Sequence, residues 1–230
     1  MIIVKEKPLD EILGFLLPYE SILIVGCDGC TQPPRGLREA MTYAMLIEMG
    51  AKIKGKTNLK CRATTVSMQC DNHICSTTLT PQLEGIDAIL SLACGVGVQT
   101  LVEVFPEIPV YPGQNTVFVG SQEREGGTMH EKCKACGECL LGETGGICPI
   151  TNCPKGILNG PCGGCVDGKC EVPFEIRDES GKVVKTIVKD CAWYLMYQRL
   201  KKLNRLDLFR KYRPPRNRAI SSSPRLLEVV

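Results

Sequence analysis

Histidine is almost missing from this 230-residue chain, which holds two, His73 and His130. A metal site built from so few imidazoles must be nearly all sulfur, which narrows the candidates to iron–sulfur clusters and all-thiolate zinc. The sequence offers neither histidine the Ser or Cys arrangement of a nucleophilic triad, so no catalytic residue of that kind is expected. No run of eighteen apolar residues occurs, and no helical membrane span is expected. The opening Met1-Ile-Ile-Val-Lys-Glu-Lys-Pro is interrupted by charge at once and lacks the long apolar stretch of a signal peptide, so the expected location is cytoplasmic.

Cysteine is abundant instead. There are 15, an odd number. In a reducing compartment thiols stay reduced, so a dense set reads as metal ligation rather than a disulfide framework. The apolar fraction of 43% and charged fraction of 23% are those of a folded globular chain. Charge is uneven: residues 196–230 hold ten Lys or Arg against two Asp or Glu. Beyond Tyr197, Phe209 and Tyr212 this tail has no aromatic for base stacking, and three prolines interrupt it. It therefore reads as a solvated tail or a docking element for an acidic protein partner, not as a nucleic-acid surface.

Three segments follow from the patterning. In residues 1–128 apolar runs alternate with helical periodicity. Ser21 to Gly26 reads as a buried strand. A helix opening near Pro33 and Pro34 carries Leu37, Ala40, Met41, Ala44 and Ile47 at helical spacing, with Gly50 at its C-cap. Residues 61–68 suit a second strand, Ala88 to Ala93 a third with a helix after it to Phe105, and Val117 to Val119 another. This predicts an α/β fold with a doubly wound, mostly parallel sheet of the Rossmann or flavodoxin-like kind. Residues 129–172 are Gly- and Cys-rich without periodicity, so metal coordination must replace core burial there. Residues 173–230 read as a hairpin around Ser180-Gly181, then an amphipathic helix capped by Asp190 with Trp193, Met196, Leu200 and Leu203 on one face, then the basic tail.

Two cysteine constellations carry the chemistry. Cys133-x2-Cys136-x2-Cys139 lets one loop curl round a cubane and offer three thiolates to three irons, with a distant fourth ligand that often precedes proline. Cys148-Pro149 and Cys153-Pro154 both fit that role. Cys162, Cys165 and Cys170 bring the segment to eight thiols, enough for two four-iron (4Fe–4S) clusters, with structural zinc as the alternative at such thiols. The second constellation is dispersed. Cys27 and Cys30 follow the first predicted strand, Cys70 the second and Cys94 the third, so a parallel sheet would gather them at its carboxyl rim. The N-terminus of the helix near Pro33 would point its partial positive charge at the same place. Cys75 is a spare for Cys70, whereas Cys61 and Cys191 read as small buried hydrophobes. Gly95-Val-Gly97 lacks the third glycine of a dinucleotide loop, and close backbone packing is the better reading. Gly163 to Lys169 has phosphate-loop spacing, but Cys170 replaces the required Ser or Thr.

The Cys-rich stretch, with Thr144-Gly-Gly-Ile-Cys148-Pro, Cys153-x-Lys155, Asn159-Gly-Pro-Cys162-Gly-Gly and Gly168-Lys-Cys170-Glu, resembles the C-terminal cysteine-rich domain of methylenetetrahydrofolate reductases. With Gly26-Cys-Asp-Gly-Cys30, Ser91 to Thr100 and Cys191-Ala-Trp193 added, nearly all the chain to about residue 215 resembles the small subunit of the two-subunit bacterial enzyme. The resemblance implies a partner, a MetF-type (β/α)8 flavoprotein that binds FMN or FAD and reduces methylenetetrahydrofolate, in one-carbon metabolism of the acetogenic type. It implies that this chain holds two or three metal clusters, with zinc as an alternative at one, and passes electrons to flavin carried only by the partner. An upstream electron-donor complex belongs to the same expectation. Within the family pattern Cys165 is an extra, and Cys61 and Cys75 are candidates for the same status. A zinc-stapled scaffold for the flavoenzyme is the rival reading.

Overall fold

The computed structural model describes residues 1–178 and 180–227. The last three residues of the basic tail, 228–230, lie outside the described residues. The chain divides into two compact units, Met1–Met129 and a second from His130 onward.

The first unit contains β1 (Ile2–Glu6), α1 (Leu9–Leu16), β2 (Ser21–Cys27), β3 (Thr31–Gln32), α2 (Leu37–Ile53), β4 (Lys60–Val66), α3 (Asn72–Leu79), β5 (Ala88–Ser91), α4 (Gly95–Val104), β6 (Val110–Pro112) and β7 (Gln114–Glu123). Its central sheet has the order β4-β2-β5-β6, with every pair parallel. Counted within the sheet this is 2-1-3-4, the start of the flavodoxin-like order. Strand β2 is apolar from Ile22 to Val25 because both its faces are covered. Ile22 and Ile24 pack with Ile12, Leu16 and Ile47 of α1 and α2. Leu23 and Val25 pack with Leu79 and Leu101 of α3 and α4. Helices on both faces make the sheet doubly wound, as the alternation of elements predicts.

Several expectations need correction. The helix expected at Pro33 and Pro34 begins at Leu37, capped at Gly36, whose N–H donates to Glu39 Oε2 at 3.0 Å. Its buried stripe is Ala40, Tyr43, Ile47 and Ala51, while Leu37 and Met41 are exposed. Gly50 is not a C-cap. The helix runs on to Ile53, and a Cβ at residue 50 would stand 2.6 Å from Leu13 Cδ1, so glycine there lets α1 approach α2. The second strand ends at Val66, because Ser67 turns away toward Cys70. Val117 to Val119 lies within β7, in a separate sheet with β1 and β3, where β7 runs antiparallel to β1.

Strand β8 (Thr128–Cys133) leads into the second unit, which continues with α5 (Pro149–Asn152), β9 (Cys165–Val166), β10 (Lys169–Cys170), β11 (Phe174–Arg177), β12 (Val183–Ile187), α6 (Ala192–Lys202) and α7 (Leu206–Arg210). Strands β11 and β12 form the antiparallel hairpin expected around Ser180-Gly181. Helix α6 buries Trp193, Met196 and Leu200, whereas Leu203 is exposed at its C-cap. Its N-cap is Cys191, not Asp190, whose carboxylate instead accepts from Lys169 Nζ at 2.6 Å. The basic segment folds back on its own unit. Arg213 is buried, donates to the carbonyls of Glu143 and Leu208, and lies 5.3 Å from the centre of the Trp193 ring. Among the described residues no helix is long and apolar enough to cross a membrane.

Candidate metal centres

The fold distributes the predicted thiols into three groups. The first lies at the carboxyl ends of the parallel strands. Cys27 is the last residue of β2, and Cys30 follows in the loop, which returns so that Cys27 N–H donates to Arg35 O at 2.6 Å. Cys70 precedes Asp71, the N-cap of α3, whose side chain accepts from Ile74 N–H. Cys94 is itself the N-cap of α4. β2 and β5 flank the point where strand order reverses, where ligands of such sheets bind. Burial raises the Cys70 thiol pKa, and the nearby Cys27, Cys30 and Cys94 thiols raise it further. Cys27 and Cys94 are buried, whereas Cys30 and Cys70 are exposed.

Gln69, which the sequence reading passed over, ties this rim together. Fully buried, it donates through Nε2 to Val25 O at 2.9 Å and Gly26 O at 2.8 Å, and its Oε1 accepts from Ser91 Oγ at 2.6 Å. The ends of β2 and β5 are thereby tied to the loop that carries Cys70. A Cβ on Gly97 would meet the Gln69 and Ala93 side chains at 2.7 Å, so that glycine serves close packing, as the sequence reading has it. Cys75 is fully buried among Leu23, Val25 and Leu79, its pKa pushed up to about 11 chiefly by burial. Cys61, in β4, is pushed up to about 12 by burial and Glu48. Both behave as core thiols.

In the second group Cys133, Cys136, Cys139 and Cys148 line one open cavity of about 310 Å³. The loop curls by placing Ala135 and Gly137 at φ 49° and 82°, which turns Ala135 N–H onto Cys133 Sγ at 3.3 Å. Arginines from the basic segment hold the loop's outward carbonyls. Arg216 Nη2 donates to Cys136 O and Glu138 O, each at 3.2 Å, and Arg225 Nη1 to Ala135 O at 2.8 Å. Burial opposes ionisation of Cys136, yet Arg216 and the local backbone more than offset it and hold the thiol below its ordinary pKa.

The third group, Cys153, Cys162, Cys165, Cys170 and Cys191, lines a smaller cavity of about 20 Å³ walled by Trp193. Cys165 and Cys170 face each other across the β9–β10 hairpin. Cys191 N–H donates to Gly168 O at 2.7 Å, and Lys155 Nζ lies 3.7 Å from Cys162 Sγ. Burial, then hydrogen bonding with Cys191, raises the Cys165 pKa. Gly163 to Lys169 therefore leads into a hairpin, not a phosphate-binding helix. Of the two Cys-Pro candidates, Cys148 shares the larger cavity and Cys153 the smaller. Cys191, read from sequence as a small buried hydrophobe, is buried with Ala192, Trp193 and Met196 as expected, and it lines the smaller cavity as well.

Among the described residues no three His, Cys, Asp or Glu side chains converge closely enough to grip a single ion. A four-iron cluster needs wider spacing, since each thiolate binds a different iron. The four cysteines that line the larger cavity match that donor set in number and kind. The smaller cavity has room for about one water-sized body, too little for a cubane.

The molecule is thus a cysteine-rich α/β protein with thiols gathered at a parallel-sheet rim and around two cavities. Residues 111–219 match the family model described as methylene-tetrahydrofolate reductase C terminal, and the match supports a relationship of that segment to these reductases. The matched segment includes both cavities and leaves out the rim cysteines. No curated protein and no solved structure matches the chain.

Proposed function

We propose that this chain is the electron-transfer subunit, of the MetV kind, for a flavoprotein that reduces methylenetetrahydrofolate to methyltetrahydrofolate. The observation that carries the reading is the single cavity lined by Cys133, Cys136, Cys139 and Cys148, within the segment that resembles these reductases. When bound there, a four-iron cluster supplies reversible one-electron transfer, which a partner flavin pairs into hydride chemistry.

The protein's own part is to hold thiolates in place and tune their surroundings. Arg216 favours ionised Cys136 and fixes the loop carbonyls of Cys136 and Glu138. At the sheet rim Cys27, Cys30, Cys70 and Cys94 are the candidate ligands of a further cluster, and Gln69 orients the loop that bears Cys70. The exposed edge at Cys30 and Cys70 is where electrons enter or leave, while burial shields Cys27 and Cys94 from water. On this reading the chain has no active site of its own.

The small volume of the cavity around Cys153, Cys162, Cys165, Cys170 and Cys191 favours a second element, a structural zinc staple in the same subunit. Anaerobic purification tests both. The expected protein is brown, bleaches on dithionite, and contains iron and sulfide with about one zinc per chain. Colourless protein containing zinc but no iron would overturn electron transfer and leave a scaffold.

A further inference from the structure

Helix α2 is apolar on the side that faces water. Leu37, Met41, Met45, Met49 and Ile53 are 45%, 55%, 60%, 60% and 85% exposed. They recur every fourth residue and form one continuous i±4 ridge, the kind that packs into the grooves of another helix. Sixteen steps at about 1.5 Å each make it about 24 Å long. The buried stripe of α2 is a different set, so this ridge contributes nothing to the core already described. Ordinary monomers seldom expose apolar patches of this continuity, and methionine adapts readily to a partner's surface.

The charges on the ridge face that have no hydrogen-bond or ion-pair partner among the described residues are cationic. Glu39 is occupied by the Gly36 N–H and Glu48 by the Cys61 N–H at 2.9 Å. Arg38 and Lys52, both exposed, have no ion-pair partner among the described residues. At about 100° per residue both lie within about 20° of Met45, in the middle of the face. An open groove of about 380 Å³ borders the ridge on the side of Leu46, lined by Leu9, Ile12, Thr42 and Tyr43.

These features disfavour a second copy of the chain as occupant. In an antiparallel pairing centred on Met45, Arg38 of one copy opposes Lys52 of the other. In a parallel pairing each cation meets itself. Like charges in such positions are repulsive. The occupant that fits is a different protein, with an apolar helix or knob bordered by carboxylates. The N-terminal end of the ridge adjoins the loop that carries Cys27 and exposed Cys30, since Cys27 N–H is bonded to Arg35 O just before the helix. A protein seated along α2 would therefore lie next to the rim cysteines assigned above as candidate cluster ligands.

We infer that the outer face of α2 is the docking surface for the flavoprotein reductase, which must present an apolar, carboxylate-bordered surface to it. This rests on the electron-transfer reading above. The test uses the full chain and the flavin-containing methylenetetrahydrofolate reductase of the same source, with affinity measured at low and moderate salt. Met45→Glu with Met49→Glu should weaken the complex at least tenfold. Arg38→Glu with Lys52→Glu should weaken it at low salt and remove much of its salt dependence. Both pairs are exposed, so circular dichroism and metal content should match the wild type.

Unchanged affinity in the methionine variant overturns the proposal while leaving the electron-transfer reading intact. Loss of affinity in a chain that never holds redox-active iron does the reverse, keeping the docking face and removing the relay. A wild-type chain that ignores the reductase but forms dimers, or binds anionic-lipid vesicles, in a way abolished by Met45→Glu overturns the assigned occupant.

Discussion

Ser91 Oγ donates to Gln69 Oε1 at 2.6 Å, and both side chains are fully buried. Ser91 ends β5 and Gln69 precedes Cys70, so the bond fastens the Cys70 loop to the strand that leads to Cys94. The opposite end of the same amide holds the carbonyls of Val25 and Gly26, one residue short of Cys27. A single side chain thus connects the segments that bear three of the four rim thiols.

Gln69→Leu removes both halves of this junction while keeping its approximate volume. It leaves the Gly26 carbonyl and the Ser91 hydroxyl without their Gln69 partner, while Val25 O keeps the Leu92 N–H, and unfolding in urea should show a loss of about 2–4 kcal/mol. Metal associated with the rim should fall, while the dithionite-bleachable absorbance from the Cys133 cavity persists. A variant as stable as the wild type would show that Gln69 does not hold the rim.

Cys148 and Cys153 make a sharper comparison, because both precede proline and only their cavities differ. Cys148→Ala should cost about four iron atoms per chain. Cys153→Ala should leave that iron in place and reduce zinc. Metal analysis of the two anaerobically purified variants decides it, and equal losses of iron from both would merge the two cavities into one site.

Cys191→Ala tests the thiol that the sequence reading assigned to packing. Zinc should drop by about one atom per chain with iron unchanged, since Cys191 lines the smaller cavity only. Cys61→Ala, a change at a core thiol far from either cavity in the chain, serves as the control and should leave both metals unchanged.

What could be read from sequence, and what could not, divides along physical lines. The run Ile22 to Val25 identifies a strand covered on both faces, and the cysteines that follow each strand come to one rim because parallel strands share a carboxyl edge. The choice between Cys148 and Cys153 was not legible, since a following proline marks both and only the path of the intervening loop separates them. Cys191 packs with Ala192, Trp193 and Met196 as its sequence suggests, but its place beside the Cys153 cavity was not legible, because the β11–β12 hairpin lies between it and Cys170. Helix α2 misled for another reason. It is apolar on two sides, so Leu37 and Met41 fit helical periodicity as well as Ala40 and Ile47 do, and only the position of the sheet tells which stripe is covered. The arginines of the tail read as solvated charge because backbone carbonyls, which leave no trace in sequence, are what Arg216 and Arg225 bind.

The Arg216–Cys136 arrangement makes Cys136 readier to ionise in the metal-free chain than the buried thiols of Cys61 and Cys75. Limited alkylation at about pH 7, read by mass spectrometry, should label Cys136 well before Cys61 and Cys75. Arg216→Gln removes the cation, so the Cys136 pKa should rise toward its ordinary value and its labelling slow several-fold at that pH. Labelling unaffected by the substitution would remove Arg216 from any role in preparing the thiolate.

Alkaline pH should expose the two core thiols thermodynamically. The folded chain raises Cys61 to about 12 and Cys75 to about 11, chiefly by burial, from an ordinary value of 9.0. In the folded state these protons are held more tightly than in the unfolded chain. The stability they contribute is therefore complete below about pH 9 and is lost as pH rises through about 11 to 12. Urea midpoints of the wild type should fall between about pH 8 and about pH 10.5, and Cys61→Ala with Cys75→Ala should fall less over the same interval, whatever the double variant loses at neutral pH. Titrating tyrosines and lysines contribute to both proteins alike, so the difference between the two slopes isolates the thiols. Parallel slopes would mean that Cys61 and Cys75 ionise as freely in the fold as out of it.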